Sequence, residues 1–382
     1  MNPVRNILAA VLVAASASTL GAQAKCEIKE DNPGELRAVR LAVIQADAAA
    51  SGANITPIVS AIKQLNDNAA KIDPKNAVGR QWALGRLYYN LARLLPAGTV
   101  VTRGQVGLDN PTANLDALAA AMDAFGVVDR TAGCAEQTSS YRQNMFALAY
   151  AAAVRAYQAD DIAGAQAAVD RARTLNEKSP DLYNVAAAVA QKRNDTKAMI
   201  DAYRKVIEYA GTDTTYNEIR ETATQNIGIL TLQAAENAAP DEKRRMLGEA
   251  RELFSKQLAA NKCDLTAFTG FSRAAMAMGD TAAVKQGYTN LAANTECKFT
   301  DLQLFDAGAN AAILNQNDVA RTLLGRGLAM NPYYRDALFN LANIYWTAEQ
   351  ADSLSAVATR LVQVDPDNPD NWRMLAAAQQ IR

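Results

Sequence analysis

Residues 335–368 read RDALFNLANIYWTAEQADSLSAVATRLVQVDPDN, and the pattern in this stretch predicts the organisation of the whole chain. One set of apolar residues has the i, i+3, i+4, i+7 spacing of a helical face: Leu338, Leu341, Ala342 and Tyr345. A second set forms another such face: Leu354, Val357, Ala358 and Leu361. Asp365-Pro366 ends the second helix, because proline cannot continue a helix and restricts the residue before it. The stretch is therefore predicted to be a pair of amphipathic helices.

This helical pair resembles a tetratricopeptide repeat (TPR) of the kind found in exported bacterial proteins. The order of large and small residues, the closing proline and the length of 34 residues all match the repeat without a gap. The resemblance implies an all-α fold, a right-handed superhelical α-solenoid of antiparallel helix pairs. A TPR array is a scaffold, so the resemblance implies recognition of a partner rather than a particular chemistry.

The same period recurs along most of the chain, as about eight helical pairs and one terminal helix. We predict degenerate repeats at 25–145, a regular array at 146–368 and a terminal or capping helix at 369–382. Three positions one period apart carry large residues in strict register: Leu304, Leu338 and Trp372. The alternative is a generic helical bundle, which need not keep a fixed period.

An insertion at 96–112 interrupts the N-terminal repeats. It contains two short β-prone runs on either side of Gly104. One interpretation is an ordered surface loop. The other is a β-hairpin whose free edge could accept a strand from a partner.

Residues 1–24 have the features of a secretory signal peptide. Arg5 supplies the positive charge, Ile7 to Leu20 the apolar run, and Ala22-Gln23-Ala24 the cleavage site. An uncleaved membrane anchor is the alternative, but the run is short for a span and rich in Ala and Ser. We therefore expect a mature protein that begins near Lys25, is periplasmic, extracellular or on the cell surface, and has no integral membrane insertion.

Four cysteines lie beyond the signal segment, and an even number in an exported chain favours disulfides. Three pairings are possible. We favour Cys263–Cys297, which lie 34 residues apart at equivalent loops between repeats, and this leaves Cys26–Cys134. Such bonds would restrict the unfolded chain by about 3–5 kcal/mol each. Equivalent loops more than about 7 Å apart would defeat the first pairing.

No catalytic residue, metal site or cofactor is predicted. The chain has no histidine, which excludes Ser-His-Asp and Cys-His arrangements and the commonest general base. It also lacks the glycine-rich motifs that bind phosphates or dinucleotides. A formal net charge of −1 gives no overall basic surface for nucleic acid. We therefore expect a non-enzymatic protein without a nucleic-acid partner.

The resemblance implies that first helices line a concave groove, through the second, fifth, ninth and twelfth positions of each repeat. Carried over to this chain, these positions predict partner-binding residues for a protein or peptide: Tyr150, Tyr157, Arg273, Phe305, Phe339, Asn343 and Trp346. The aromatic members have two interpretations, either packing between helices or anchors for a partner. In the second, Phe305, Phe339 and Trp346 form one apolar patch.

Self-association is the alternative function. The terminal helix presents Trp372, Leu375 and Ala376 with no following repeat to cover them. Solenoids usually end in a polar cap, so this end could accept the first helix of another molecule. Gln379, Gln380 and Arg382 could instead provide a sufficient cap.

Overall fold

The computed structural model describes Cys26, Ile28, residues 34–96 and residues 99–381. The predicted signal peptide lies outside these residues. The described residues form seventeen α-helices and contain no β-strand. None of these helices combines the length and the apolar composition that a membrane span requires.

The chain divides into two compact units. The N-terminal unit comprises Met1–Ala152 and Asp170–Glu177, and the C-terminal unit comprises Ala153–Val169 and Lys178–Arg382. The first six helices are α1 Glu35–Ala48, α2 Thr56–Asp67, α3 Ala77–Leu94, α4 Ala117–Asp129, α5 Ser139–Gln158 and α6 Ile162–Leu175. The first four lie in the N-terminal unit, and α5 and α6 each contribute residues to both units.

Eleven further helices lie in the C-terminal unit. They are α7 Pro180–Lys192, α8 Thr196–Ala210, α9 Asn217–Glu236, α10 Pro240–Ala260, α11 Leu265–Ala277, α12 Thr281–Ala293, α13 Asp301–Ile313, α14 Asn317–Met330, α15 Arg335–Thr347, α16 Ala351–Val364 and α17 Pro369–Ile381.

The predicted period is confirmed by the backbone. Helices α13, α15 and α17 begin at residues 301, 335 and 369, which are 34 residues apart. The turn inside a helical pair also repeats, with one residue of positive φ each time: Asp160, Asn194, Gly279, Asn315 and Glu349. Asparagine, aspartate and glycine tolerate this left-handed conformation better than most residues. The fold is thus an all-α array of TPR type.

Buried apolar faces hold the pairs together. Leu338, Leu354 and Leu361 are completely buried in the C-terminal unit, as the spacing in the sequence predicts. Close approach of two helices is possible where a glycine faces the partner helix. A Cβ atom on Gly308 of α13 would lie 2.7 Å from Cγ of Leu324 on α14, so a larger residue there would push the helices apart.

Short polar side chains start many of the helices. Asp264 and Asp280 each accept a hydrogen bond from a backbone N–H in the first turn of α11 and α12, at 2.9 and 3.0 Å. Thr300 forms a capping box with Gln303 at the start of α13. These contacts satisfy N–H groups that have no partner within the helix.

The insertion forms a loop in its described part, residues 99–112. A short 3₁₀ turn covers Gly104–Val106, and Thr102 makes a single antiparallel bridge with Asn114. The backbone N–H of Gly104 donates to the carbonyl of Pro111, which folds the segment back on itself. The β-prone runs therefore do not pair as a hairpin here.

Both predicted disulfides are present. Cys26 and Cys134 are bonded with their Cα atoms 4.7 Å apart, and Cys263 and Cys297 with theirs 5.4 Å apart. The second bond brackets one helical pair, because Cys263 lies just before α11 and Cys297 just after α12. The equivalent loops are therefore close enough for a bond.

Candidate partner-binding face

Four successive first helices of the C-terminal unit share one register. Helices α11, α13, α15 and α17 are each 13 residues long. One side of each packs into the array, so the opposite side faces away from the second helices. We call the exposed side of the first three the first-helix face, and it comprises Arg273, Met276, Leu302, Asp306, Phe339, Asn343 and Trp346.

Helix α15 contributes three predicted residues to this face. Phe339, Asn343 and Trp346 follow each other at spacings of four and three residues, so they lie along one side of the helix. Phe339 and Asn343 are half-buried, and Trp346 is 37% exposed. An indole that keeps this much surface beside partly covered neighbours can bury further area against a partner.

The ring of Phe339 makes a cation–π contact with Arg335. The guanidinium of Arg335 lies 5.8 Å from the ring centroid, one helical turn before it. The same guanidinium pairs with Asp365 at 2.8 Å and Asp336 at 2.9 Å. These hydrogen bonds raise the pKa of Arg335, and the bond from Arg335 lowers the pKa of Asp365. The contacts hold the cation above the ring and restrict this part of the face.

Phe305 does not belong to the exposed patch. Only 3% of its surface is exposed, and its ring stacks on Tyr334 with the centroids 4.3 Å apart. A Cβ atom on Gly327 of α14 would lie 2.4 Å from Cε1 of Phe305, so the ring occupies the space that this glycine leaves. The prediction of a joint patch with Phe339 and Trp346 is therefore wrong for Phe305.

Helix α11 contributes Arg273 and Met276. Arg273 is exposed and lies 3.4 Å from a carboxylate oxygen of Glu236 on α9. Met276 is 45% exposed, one turn further along the same side. An exposed ion pair at this distance contributes little to stability.

The two predicted tyrosines lie apart from this face in the sequence. Both belong to α5 and are half-buried. Tyr150 stacks on Phe146 of the N-terminal unit with ring centroids 6.1 Å apart. Tyr157 lies under the ammonium of Lys192, 5.8 Å from the ring centroid, and both residues belong to the C-terminal unit. Each tyrosine thus has a packing partner of its own.

A polar cleft opens between α11 and α13. It has a volume of about 310 Å³ and is lined by Leu265, Thr266, Phe268, Thr269, Tyr288, Gln303, Asp306, Ala307 and Asn310. Asp306 is exposed, and its carboxylate can accept hydrogen bonds or pair with a cation. The cleft can therefore hold a basic or hydrogen-bond-donating side chain.

Three of these residues were not predicted from the sequence. Gln303, Asp306 and Asn310 form a polar stripe on α13, at spacings of three and four residues. This stripe runs beside the buried residues Leu304 and Ala311. A polar stripe at the border of a buried face was the available signal, but the positions carried over from TPR arrays did not include it.

The side chains of the first-helix face suit contact with another molecule. No described Asp, Glu or Cys side chains gather in a group of three that could hold a metal ion. The first-helix face instead offers an indole, a methionine, a leucine and a carboxylate. These are typical contributions of a surface that buries apolar side chains and orients them with polar contacts.

No protein-family profile matches the chain, and no curated protein matches it. Among solved structures, it is similar to PilF of Pseudomonas aeruginosa, with 14% identity, a TM-score of 0.36 and coverage of 62% of this chain and 98% of that chain. It is similar to YrrB, a TPR protein with an unusual peptide-binding site, with 16% identity, a TM-score of 0.37 and coverage of 56% and 97%. A tetratricopeptide repeat protein from Parabacteroides merdae has 10% identity, a TM-score of 0.35 and coverage of 84% and 99%. At such identities the likeness concerns the fold alone.

Proposed function

We propose that this TPR-type protein is a non-enzymatic scaffold that binds a protein or peptide partner through its first-helix face. The observation that carries the proposal is the exposed indole of Trp346, placed beside Phe339 and Asn343 on one helical side. Tryptophan is among the residues that contribute most to protein interfaces when a partner buries it.

The chemistry of the face specifies the partner further. Leu302 is 53% exposed and Met276 is 45% exposed, so two further apolar side chains accompany Trp346. The polar cleft adds the carboxylate of Asp306. A segment with spaced apolar side chains and a lysine or arginine between them would match this combination.

Trp346→Ala tests the proposal. Purified wild-type and variant proteins are used to capture partners from an extract of the cells that produce the chain. We expect the variant to lose the captured partner, because the truncation removes apolar area that only the partner buries. Its thermal midpoint should stay close to that of the wild type, since the indole is partly exposed in the free protein.

Two further variants make the test specific. Tyr333→Ala removes another aromatic ring, 63% exposed and outside the first helices, and should leave capture unchanged. Phe305→Ala should lower stability by about 3–5 kcal/mol, because a large ring is lost from a buried site. Equal capture by wild type and Trp346→Ala would contradict the proposal.

We propose that the protein works outside the cytoplasm, in the periplasm, in the extracellular space or at the cell surface. The signal-like segment 1–24 and the two disulfides support this location, because disulfides persist in oxidising compartments. N-terminal sequencing of protein from cell fractions should find a start near Lys25 outside the cytoplasm. A cytoplasmic protein with an intact leader would contradict this assignment.

Self-association is a second candidate function, and Trp372 favours it. Its register equivalents Leu304 and Leu338 are buried, whereas Trp372 is 51% exposed and Ala376 beside it is exposed. The indole N–H donates to the carbonyl of Pro366 at 2.7 Å, which fixes the ring on the outer side of α17. A first helix from a second copy could cover this side, as successive repeats do within the chain.

Light scattering across a range of concentrations distinguishes this candidate. The molar mass of the wild type should rise with concentration, and that of Trp372→Ala should stay at the monomer value. A constant monomeric mass for both proteins would exclude self-association through this helix. Capture through Trp346 would be unaffected by that result.

A further inference from the structure

A second cleft lies between the second helices α10 and α12, and Phe268 of α11 lines both clefts. Its volume is about 560 Å³. We call it the apolar cleft, and its lining residues are Leu258, Lys262, Phe268, Phe271, Ala283, Gln286, Gly287, Asn290, Leu291, Asn294 and Phe299. Small-molecule sites typically have volumes of about 300–1,000 Å³, with mostly apolar walls and a few polar groups.

Two positions of α12 that line the cleft carry small side chains where the equivalent positions of α14 and α16 carry large ones. Counted from the helix starts, Gly287 of α12 corresponds to Leu323 of α14 and Val357 of α16, which are both buried. A Cβ atom on Gly287 would lie 2.4 Å from Cε2 of Phe268, so the ring of Phe268 occupies the space that this glycine leaves. Gly287 and the ring of Phe268 packed against it therefore form part of the wall of the cleft.

At the other position, the large side chain is an arginine. Arg326 of α14 donates to the carbonyls of Ala292 and Asn294 at 3.3 and 3.1 Å, which ties α14 to the end of α12. Arg360 of α16 donates in the same way to the carbonyl of Pro332. The equivalent residue of α12 is Asn290, whose side chain is too short to make this bridge to α10.

Both ends of α12 are nevertheless fastened towards α10. At the start, Asp280 pairs with Arg251 of α10 at 2.7 Å. At the end, the Cys263–Cys297 disulfide joins the loops that follow α10 and α12. The cleft is therefore a preformed opening between two fixed ends, and binding there requires little reorganisation of the helices.

The polar rim near the disulfide offers hydrogen-bond donors. The side-chain oxygen of Asn294 accepts from the backbone N–H groups of Glu296 and Cys297 at 2.9 and 3.2 Å, so its amide NH₂ is the group left for a ligand. Lys262 lines the same rim and pairs with Glu296 at 2.5 Å. That pair is well exposed, so a ligand can replace Glu296 at small expense in free energy.

We propose that the apolar cleft binds a single-chain amphiphile, a long-chain carboxylate whose aliphatic chain lies against Phe268, Phe271 and Leu291. The carboxylate accepts hydrogen bonds from Lys262 and Asn294 at the rim. The apolar lining matches the chain, and the donors match the charge of the head group. No residue of the first-helix face lines this cleft, and Phe268 alone is shared with the polar cleft, so fatty-acid binding can be measured without the proposed partner.

The test is a fluorescence titration of the full chain, disulfides intact, with a polyene fatty acid whose emission rises in apolar surroundings. Wild type should show saturable binding to one site. Ala283→Leu places a larger side chain in the cleft and should weaken binding by about tenfold or more, by occupying the space of the ligand chain. Ala282→Leu is the matched control, since Ala282 is exposed on the same helix outside the cleft, and should bind as wild type does.

Asn290→Arg is a second variant that should close the apolar cleft, through a different contact from that of Ala283→Leu. The introduced guanidinium should reach the carbonyls at the end of α10 as Arg326 reaches those at the end of α12, and binding should fall while the thermal midpoint stays or rises. Non-saturable binding to wild type would overturn the proposal. So would equal affinity of Ala283→Leu and Ala282→Leu, or undiminished binding by Asn290→Arg.

Lys262→Gln tests the head group. We expect weaker binding of the fatty acid and unchanged binding of the alcohol of the same chain length, which lacks the charge. An equal loss of affinity for both ligands would contradict the role of Lys262. It would show that the substitution affects contacts with the aliphatic chain of the ligand rather than with its carboxylate.

Discussion

Two helical pairs of the same unit, α11–α12 and α15–α16, show how differently one repeat can be packed. In α15–α16 the large residues Leu338, Leu354 and Leu361 are fully buried, and no disulfide is present. In α11–α12 the residue Phe268 borders two clefts, and a disulfide brackets the pair. The helical period alone therefore does not determine how tightly neighbouring pairs close.

The difference arises at a few equivalent positions of the second helix. Beside α16, Val357 is buried and Arg360 donates to the carbonyl of Pro332. Beside α12, the ring of Phe268 takes the space at Gly287, and Asn290 is too short for the bridge that Arg360 makes. The link to the next repeat is also longer after α12, at residues 294–300, than after α16, at residues 365–368. A TPR-type pair can thus gain a cavity without losing its helices, provided that its ends are fixed.

Truncation of a leucine at equivalent positions of the two pairs should give the largest effect on stability. It tests whether the two pairs differ in packing. Leu361 and Leu291 occupy the same position, but Leu361 is fully buried and Leu291 lines the apolar cleft. Leu361→Ala should destabilise by about 3–5 kcal/mol and Leu291→Ala by about 2–3 kcal/mol, because less packing is lost beside an existing cavity. Urea denaturation of both variants measures the difference. Equal losses would indicate that the cleft is filled in solution.

Removal of the bracketing disulfide should have the next largest effect. The double variant Cys263→Ala, Cys297→Ala releases a loop of 34 residues and should destabilise by about 3–4 kcal/mol on the chain-entropy account. Calorimetry of the variant, with Cys26–Cys134 still bonded, checks this value. A loss of less than about 1 kcal/mol would show that packing alone fixes the ends of α12.

Acidification should give the smallest effect on stability, and it tests how Asp280 holds the start of α12. The backbone N–H of Ala283, together with Arg251, lowers the pKa of Asp280 below its ordinary value. Its stabilising contribution is therefore present above the unfolded-state pKa and is lost as the pH falls through the lower folded-state pKa. Asp280→Asn should be less stable than wild type at pH 7, and the gap should narrow as the pH falls below about 4. A gap that is independent of pH would contradict this role of the carboxylate.

Much of the fold could be predicted from the sequence, because the determining features are local and periodic. The spacing from Leu338 to Leu361 predicts two helices, and Asp365-Pro366 marks their end. The spacing of Cys263 and Cys297 by one period favours a bond between equivalent loops, and the structure has that bond. These features can be recognised without knowing which residues from other parts of the chain lie nearby in the fold.

The site could be predicted only in part, because exposure depends on residues from other helices. The sequence left packing and exposure open for both aromatic residues. Trp346 is partly exposed, whereas Phe305 turns inward because Gly327 leaves room for its ring and Tyr334 covers it. The apolar cleft is lined by Gly287 and Asn290 of α12 together with residues of other helices, such as Leu258 of α10. A period identifies equivalent positions, but the side chains at all contacting positions decide what is buried.

Hydrogen–deuterium exchange tests the central claim most directly. The full chain is measured alone and with the partner that wild type captures and Trp346→Ala does not. Binding through the first-helix face predicts slower exchange in residues 301–313 and 335–347, because contacts with a partner suppress local opening of these helices. Slower exchange confined to the second helices at 317–330 and 351–364, or no change in any of these helices, would contradict the claim.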